Sequence, residues 1–174
     1  NHSRMFKHLE YQINTSAEKY DLFWKEIVIR KVLNQADVIK KLGKSDEVYE
    51  NIKQLASETQ IGDITNREAH AAKIYFNELM ETTFSRGNDD ILLNSGLDYG
   101  YTIIRSYIAR VCVGYGLNSQ LGIHHRNEYN RFNLIDDLME PIRPMLDIFA
   151  YQLLEDNEYF NVEHRRNLIN FLNH

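Results

Sequence analysis

The sequence predicts an all-α fold, and three observations carry that prediction. Apolar residues recur at three- and four-residue spacing along most of the chain. No stretch alternates apolar and polar residues as a half-buried strand would. Only 2 prolines and 8 glycines interrupt 174 residues, too few for a turn-rich β protein. No repeat or low-complexity tract divides the chain, so one compact array of about six helices is expected.

The elements follow in order. Residues 1–14 are polar without a clear period and read as a linker, and the helical domain spans 15–174. From Thr15, Leu22, Phe23, Ile27, Val28, Val32, Leu33, Ala36 and Ile39 mark a long helix, and Gly43 offers its stop. Ser45 opens a second helix to about Thr59, broken by "IGD". Thr65-x-x-Glu68 matches a capping box and starts a third. "SRGNDD" reads as a loop, and a buried helix is expected from Asn94 to about Tyr115, with Gly96 and Gly100 allowing close approach of a neighbour. "LNSQLGIHHRNEYNRFN" reads as loop. "LIDDLMEPIRPMLDIFAYQLLE" reads as one helix kinked at Pro141 and Pro144, and a last helix is expected near Asn161.

Composition narrows the function classes. The net charge of −5 is the opposite of the basic footprint of most nucleic-acid binders, although segregated charge or a bound metal can supply it. Cys112, the single cysteine, excludes an intrachain disulfide, reads as a small core residue, and fits a reducing cytoplasm. No apolar run approaches the roughly 20 residues that span a bilayer, and no signal-peptide pattern opens the chain. The chain opens at Asn1 and closes inside a helical pattern, so it reads as a fragment.

Two features could do chemistry. Glu68 falls on the same helical face as Ala72, Tyr75 and Leu79, so a carboxylate aims at the core. It serves either as the capping-box acid or as a ligand whose burial needs a cation. Asp137 and Glu140 lie three apart on one face, a pair that repels itself unless a cation intervenes. They belong either to a solvated polar face or, with His124 and His125 a short loop upstream, to a site for Mg²⁺ or Mn²⁺. Zinc spacings, a Gly-rich phosphate loop, a G-x-S-x-G elbow and an activated Cys are absent. Arg67, Arg126, Arg131 and Arg143 lie near the candidate ligands and suit phosphate or surface ion pairs alike.

"NREAHAAKIYF", "LDYGY", "LGIHH" and "FNLIDDLMEPIRP", in this order over about residues 65–147, resemble the CRISPR-associated spacer-acquisition integrases, the first-numbered Cas proteins, and those of type II systems most closely. The resemblance implies a metal held by Glu68, His125 and Glu140, with Asp137 beside it, Tyr99 near the DNA, and His124 in place of His125 if the loop register slips by one. It implies Mg²⁺ or Mn²⁺ as cofactor and attack of a DNA 3′-OH on repeat phosphodiesters, with nuclease activity on branched DNA from the same chemistry. An N-terminal β domain would precede this one and supply most of a homodimer interface. The implied partners are protospacer and CRISPR-repeat DNA and a dimer of the second-numbered Cas protein, with the effector nuclease and a ring-shaped accessory protein joining in type II systems. The other class left open is a non-catalytic helical interaction module.

Overall fold

The computed structural model describes residues 2–81 and 88–155, together with Asn167 and Asn170. Seven α-helices and one 3₁₀ turn are present among the described residues, and no strand. Helix α1 runs His2–Asn14, α2 Ala17–Lys41, α3 Asp46–Ser57, α4 Arg67–Glu81, α5 Asn88–Gly114, α6 Asn133–Met139 and α7 Arg143–Glu155. The helix expected near Asn161 begins outside the described residues.

Helix α2 is the central strut. Ser16 caps it by accepting from the Lys19 N–H, and Gly43, at φ +64, lets the chain turn back so that Lys44 N–H reaches the Ile39 carbonyl. Ser45 then caps α3 through the Val48 N–H. The buried face of α2 carries Trp24, Val28, Val32, Ala36 and Ile39. They meet Ile52 and Leu55 of α3, Ala71, Tyr75 and Leu79 of α4, and Ala150 and Tyr151 of α7 in one cluster. Each such large side chain contributes about 1.5–3 kcal/mol on burial. Leu22 and Phe23, expected in that stripe, are exposed, because the packed face is set by Trp24, Lys31 and Gln35 instead.

Four expectations are corrected. Within the expected linker, His2–Asn14 form α1: Met5, Leu9 and Ile13 recur at fours, and Gln12 locks the helix to Asn118 through reciprocal bonds of 3.0 and 2.8 Å. Helix α5 starts at Asn88, so only residues 82–87 of the segment before it lie outside the described structure. The kinked helix is two, α6 and α7, because Pro141 has no N–H to carry the ladder across the turn at Glu140–Ile142.

The fourth concerns the start of α4. Asp63 and Asn66 both have positive φ, +49 and +53. The chain thus makes a left-handed step just before Arg67, which leaves Thr65 outside capping reach. The Asp63 carboxylate accepts from the N–H groups of Arg67 and Glu68 at 2.8 and 3.1 Å and sits at the favourable end of the helix dipole. Glu68, freed from the cap, can turn inward.

Gly100 gives α5 its contact with α7. A Cβ there would come within 2.5 Å of a Leu146 methyl, and Leu146 is fully buried with nowhere to go. This close approach brings Tyr101 and Arg105 beside the α6–α7 turn.

Candidate active site

Glu68 and Glu140 converge on one cation, Lys31. Its Nζ lies 2.5 Å from a carboxylate oxygen of each acid. Three elements make this junction: α2 supplies Lys31, the first turn of α4 supplies Glu68, and the turn after α6 supplies Glu140. The site is poorly hydrated, with the side chains of Lys31 and Glu140 10% and 7% exposed and that of Glu68 26%. Two carboxylates about 4 Å apart repel by about 4 kcal/mol at an effective dielectric of ~20. The lysine offsets that repulsion. The second oxygen of Glu140 faces Arg143, 3.5 Å away.

Asp137, expected beside the cation, does a different job. Its carboxylate is fully buried beneath the Gly122–His125 loop. Oδ2 accepts from the N–H groups of Ile123 at 2.6 Å and His124 at 2.8 Å, the His125 N–H is shared between both oxygens, and the His125 ring nitrogen Nδ1 is paired with Oδ1. Gly122 is required by the same fold of the loop, since a Cβ there would lie 2.1 Å from the His125 carbonyl oxygen. The Asp137 bond fixes the ring of His125 and leaves Nε2 as its remaining ring nitrogen for a ligand.

His125 and Glu140 line one cavity of about 460 Å³, between α5 and the α6–α7 turn, with Tyr101, Arg105 and Arg143 among the other walls. His124 is placed elsewhere: its ring stacks flat on buried Trp24, centroids 4.2 Å apart. Trp24 also meets the His125 ring edge-on, so one tryptophan sets the register of the pair. Glu68 and Glu140 are thus drawn together, while His125 is held at the cavity wall by Asp137. Among the described residues no group of three or more His, Cys, Asp or Glu side chains is arranged to hold a metal ion. The paired hard oxygens fit a divalent cation in chemistry, and the place between them is taken by the ammonium.

The arginines divide. Arg143 lies on the cavity, its guanidinium over the Tyr101 ring. Arg67 pairs with Glu58 at 3.2 Å, Arg126 lies over the Tyr20 ring and lines a separate cavity of about 600 Å³, and Arg131 is exposed on the loop. Tyr99 packs partly buried against Ile104, Met139 and Leu146, and Tyr101, two residues on, faces the cavity. Sequence reasoning missed Lys31, Tyr101 and Arg105. A charge within the Val28–Val32–Gln35 face was the available signal for Lys31, of the same kind as the one that exposed Glu68. Arg105 is anchored by Asp136 at 2.8 Å and lies over Phe132. The Nε of Arg105 is buried without a hydrogen-bond acceptor, and that of Arg143 faces Glu140. Two guanidinium groups on the cavity wall suit an anionic oxygen there.

Behind Tyr101 lies Asp147, almost completely buried. It accepts from the Tyr75 hydroxyl at 2.8 Å and from the Tyr101 hydroxyl. Burial lifts its carboxyl to about 6, against the downward pull of both tyrosine bonds and of Arg143 and Lys31. A carboxyl raised above its unfolded value favours the fold below about pH 4, and that contribution is lost as pH rises through about 6. Going from about pH 7 to about pH 5 should therefore stabilise the wild type relative to Asp147→Asn by about 1 kcal/mol, or about 3 °C in Tm. Thermal melts of both proteins at the two pH values check this, and a constant Tm difference would place the carboxyl below 5.

The fold and site together define a helical domain that gathers acids from two separated helical segments at the edge of an arginine-lined cavity. A family model described as "CRISPR associated protein Cas1" matches residues 3–168. A CRISPR-associated endonuclease Cas1 from Neisseria meningitidis is 41% identical over 152 residues, covering 87% of this chain and 49% of that protein. One from Pyrobaculum aerophilum is 28% identical over 161 residues, covering 83% and 52%. The structure of a Cas1 protein from Thermotoga maritima superposes with a TM-score of 0.70 at 20% identity, over 98% of this chain and 64% of that one. A chain of a partial Cas6-RT-Cas1–Cas2 complex gives 0.70 at 19%, over 88% and 56%. This chain belongs to the Cas1 family. It spans about half the length of the curated relatives it matches.

Proposed function

We propose that this chain is the catalytic domain of a metal-dependent CRISPR integrase and endonuclease. The observation that carries the reading is the convergence of Glu68 and Glu140 on one buried cation position beside a cavity walled by His125, Arg105 and Arg143. Glu68, Glu140 and His125 would hold Mg²⁺ or Mn²⁺, which when bound supplies Lewis-acid polarisation of the phosphoryl oxygen. Arg105 and Arg143 orient the phosphodiester by bonding its non-bridging oxygens. Asp137 keeps His125 in one tautomer and rotamer. In strand transfer the incoming 3′-oxygen forms a bond to phosphorus and gives up its proton, while the outgoing 3′-oxygen leaves and takes one, so the number of phosphodiesters is conserved. With water as the nucleophile the same displacement is cleavage.

The assembly belongs to this proposal too: protospacer and CRISPR-repeat DNA, branched DNA, a homodimer of the longer protein, a dimer of the second-numbered Cas protein, and in type II systems the effector nuclease and accessory ring protein. The Cas1–Cas2 complex named among the fold neighbours supports the second-numbered Cas protein as a partner. No helix of the described residues is long and apolar enough to cross a membrane. The proposed work on DNA would place the protein in the prokaryotic cytoplasm.

The alternative, a non-catalytic helical module, draws on Lys31, which already neutralises the acid pair. Strand transfer by the full-length protein with its Cas partner separates the two. Product should form with Mn²⁺ or Mg²⁺ and vanish when the metal is chelated. Undiminished product in excess chelator would overturn metal dependence, and no product under any condition would favour the module.

A further inference from the structure

We propose that Lys31 is the resident counter-ion of the Glu68–Glu140 pair: it holds the two carboxylates together in the metal-free protein and cedes the place between them when a divalent cation binds. This rests on the metal reading above and adds a device to it. Lys31 projects from the buried face of α2, 8% exposed, in helical register with Val28, Val32 and Gln35. Its Nζ makes the same 2.5 Å contact to both acids. An ammonium that served only to neutralise one buried acid would not need to be shared. Sharing fixes the separation of two carboxylates that come from elements far apart in sequence, before any metal arrives.

The charge balance explains why the lysine must then give way. Glu68 and Glu140 carry two negative charges, met by Lys31 and by Arg143, 3.5 Å from the second oxygen of Glu140. A divalent ion added to that set would place four positive charges against two. Release of at least one carboxylate by Lys31 removes the surplus and frees the oxygen lone pairs that the metal needs. A lysine suits this better than an arginine, being a point charge on a flexible four-carbon stem rather than a fixed planar fork. His125 is already oriented by Asp137, so the lysine is the part that moves.

Mn²⁺ titration of the metal-free, full-length protein tests this directly, by calorimetry and by loss of the free-ion paramagnetic resonance signal. Lys31→Met keeps the length and apolar stem and removes the charge. It should bind Mn²⁺ about tenfold or more tightly than wild type, melt lower without metal, and regain most of that loss with saturating Mn²⁺. Lys31→Arg keeps a cation in place and should bind no more tightly than wild type. Adding Glu68→Gln to Lys31→Met should erase the gain. If Lys31→Met is unfolded without metal, Mn²⁺ should refold it, and failure to do so counts against the proposal. Equal or weaker Mn²⁺ binding by Lys31→Met, with wild type binding normally, overturns the role of Lys31 and leaves the metal reading standing. Absence of Mn²⁺ binding in folded wild type and variant alike overturns both.

Discussion

Glu140→Gln should lower strand transfer by at least about a thousandfold while leaving the helical fold in place. The magnitude follows from losing one anionic metal ligand at a centre where electrostatic stabilisation of the reacting phosphoryl group supplies most of the rate. Glutamine keeps the volume and one carbonyl oxygen, which can still accept from Lys31, so the turn after α6 should hold its shape. The charge set changes more than the packing: Lys31 and Arg143 would face Glu68 alone. A modest loss of stability, about 1–2 kcal/mol, is expected from the weakened hydrogen bond to a buried ammonium. Glu68→Gln should behave alike in activity. Circular dichroism melts beside a strand-transfer assay on branched DNA make the comparison. Activity within tenfold of wild type, in a folded variant, would take Glu140 out of the site.

The second large effect belongs to Asp137→Ala. The carboxylate is fully buried and gathers three backbone N–H groups and one imidazole nitrogen from Ile123, His124 and His125. Alanine leaves those donors without an acceptor, and each unsatisfied group costs about 1–3 kcal/mol where water cannot replace the bond. A net loss of about 3–4 kcal/mol, roughly 10 °C in Tm for a domain of this size, is expected. Activity should fall further than stability accounts for, because His125 loses the bond that fixes its ring even in the folded fraction. Asp137→Asn, with one acceptor oxygen left, should lie between. Calorimetry together with strand transfer, set beside His125→Ala, gives the test. A Tm drop below about 2 °C would mean that the loop holds itself without Asp137.

These two residues show what could be read from the chain and what could not. They sit three apart on what a helical wheel makes one polar face, and the shared face predicts a shared cation. In the fold α6 ends between them, at Met139. Asp137 points under the loop and Glu140 toward α2, so the neighbours by sequence serve different partners. Glu68 gives the opposite lesson. A carboxylate on an apolar face pointed to an inward-facing acid, which the fold pairs with Lys31 beside Glu140, while the capping explanation failed on the backbone of Asp63 and Asn66, whose positive φ values no residue pattern announces. Cys112 and Gly100 were legible for simpler reasons, one small and apolar between apolar neighbours, the other able to admit a facing helix.

By itself the sequence determined the helical class, the helix start at Ser45, the stop at Gly43, and the acids and histidines that carry the family resemblance. Those features are local: they depend on periodicity, on side chains that reach backbone groups three residues away, and on residue identity in a motif. Only the tertiary structure decided that α2 presents Trp24, Lys31 and Gln35 inward rather than Leu22 and Phe23, that the acids meet on Lys31, that Tyr101 and not Tyr99 faces the cavity, and that Asp147 takes the hydroxyls of Tyr75 and Tyr101. Each of these couples residues distant in the chain. Which of two adjacent side chains turns inward is then fixed by the shape and charge of the facing element, and a single helix does not contain that information.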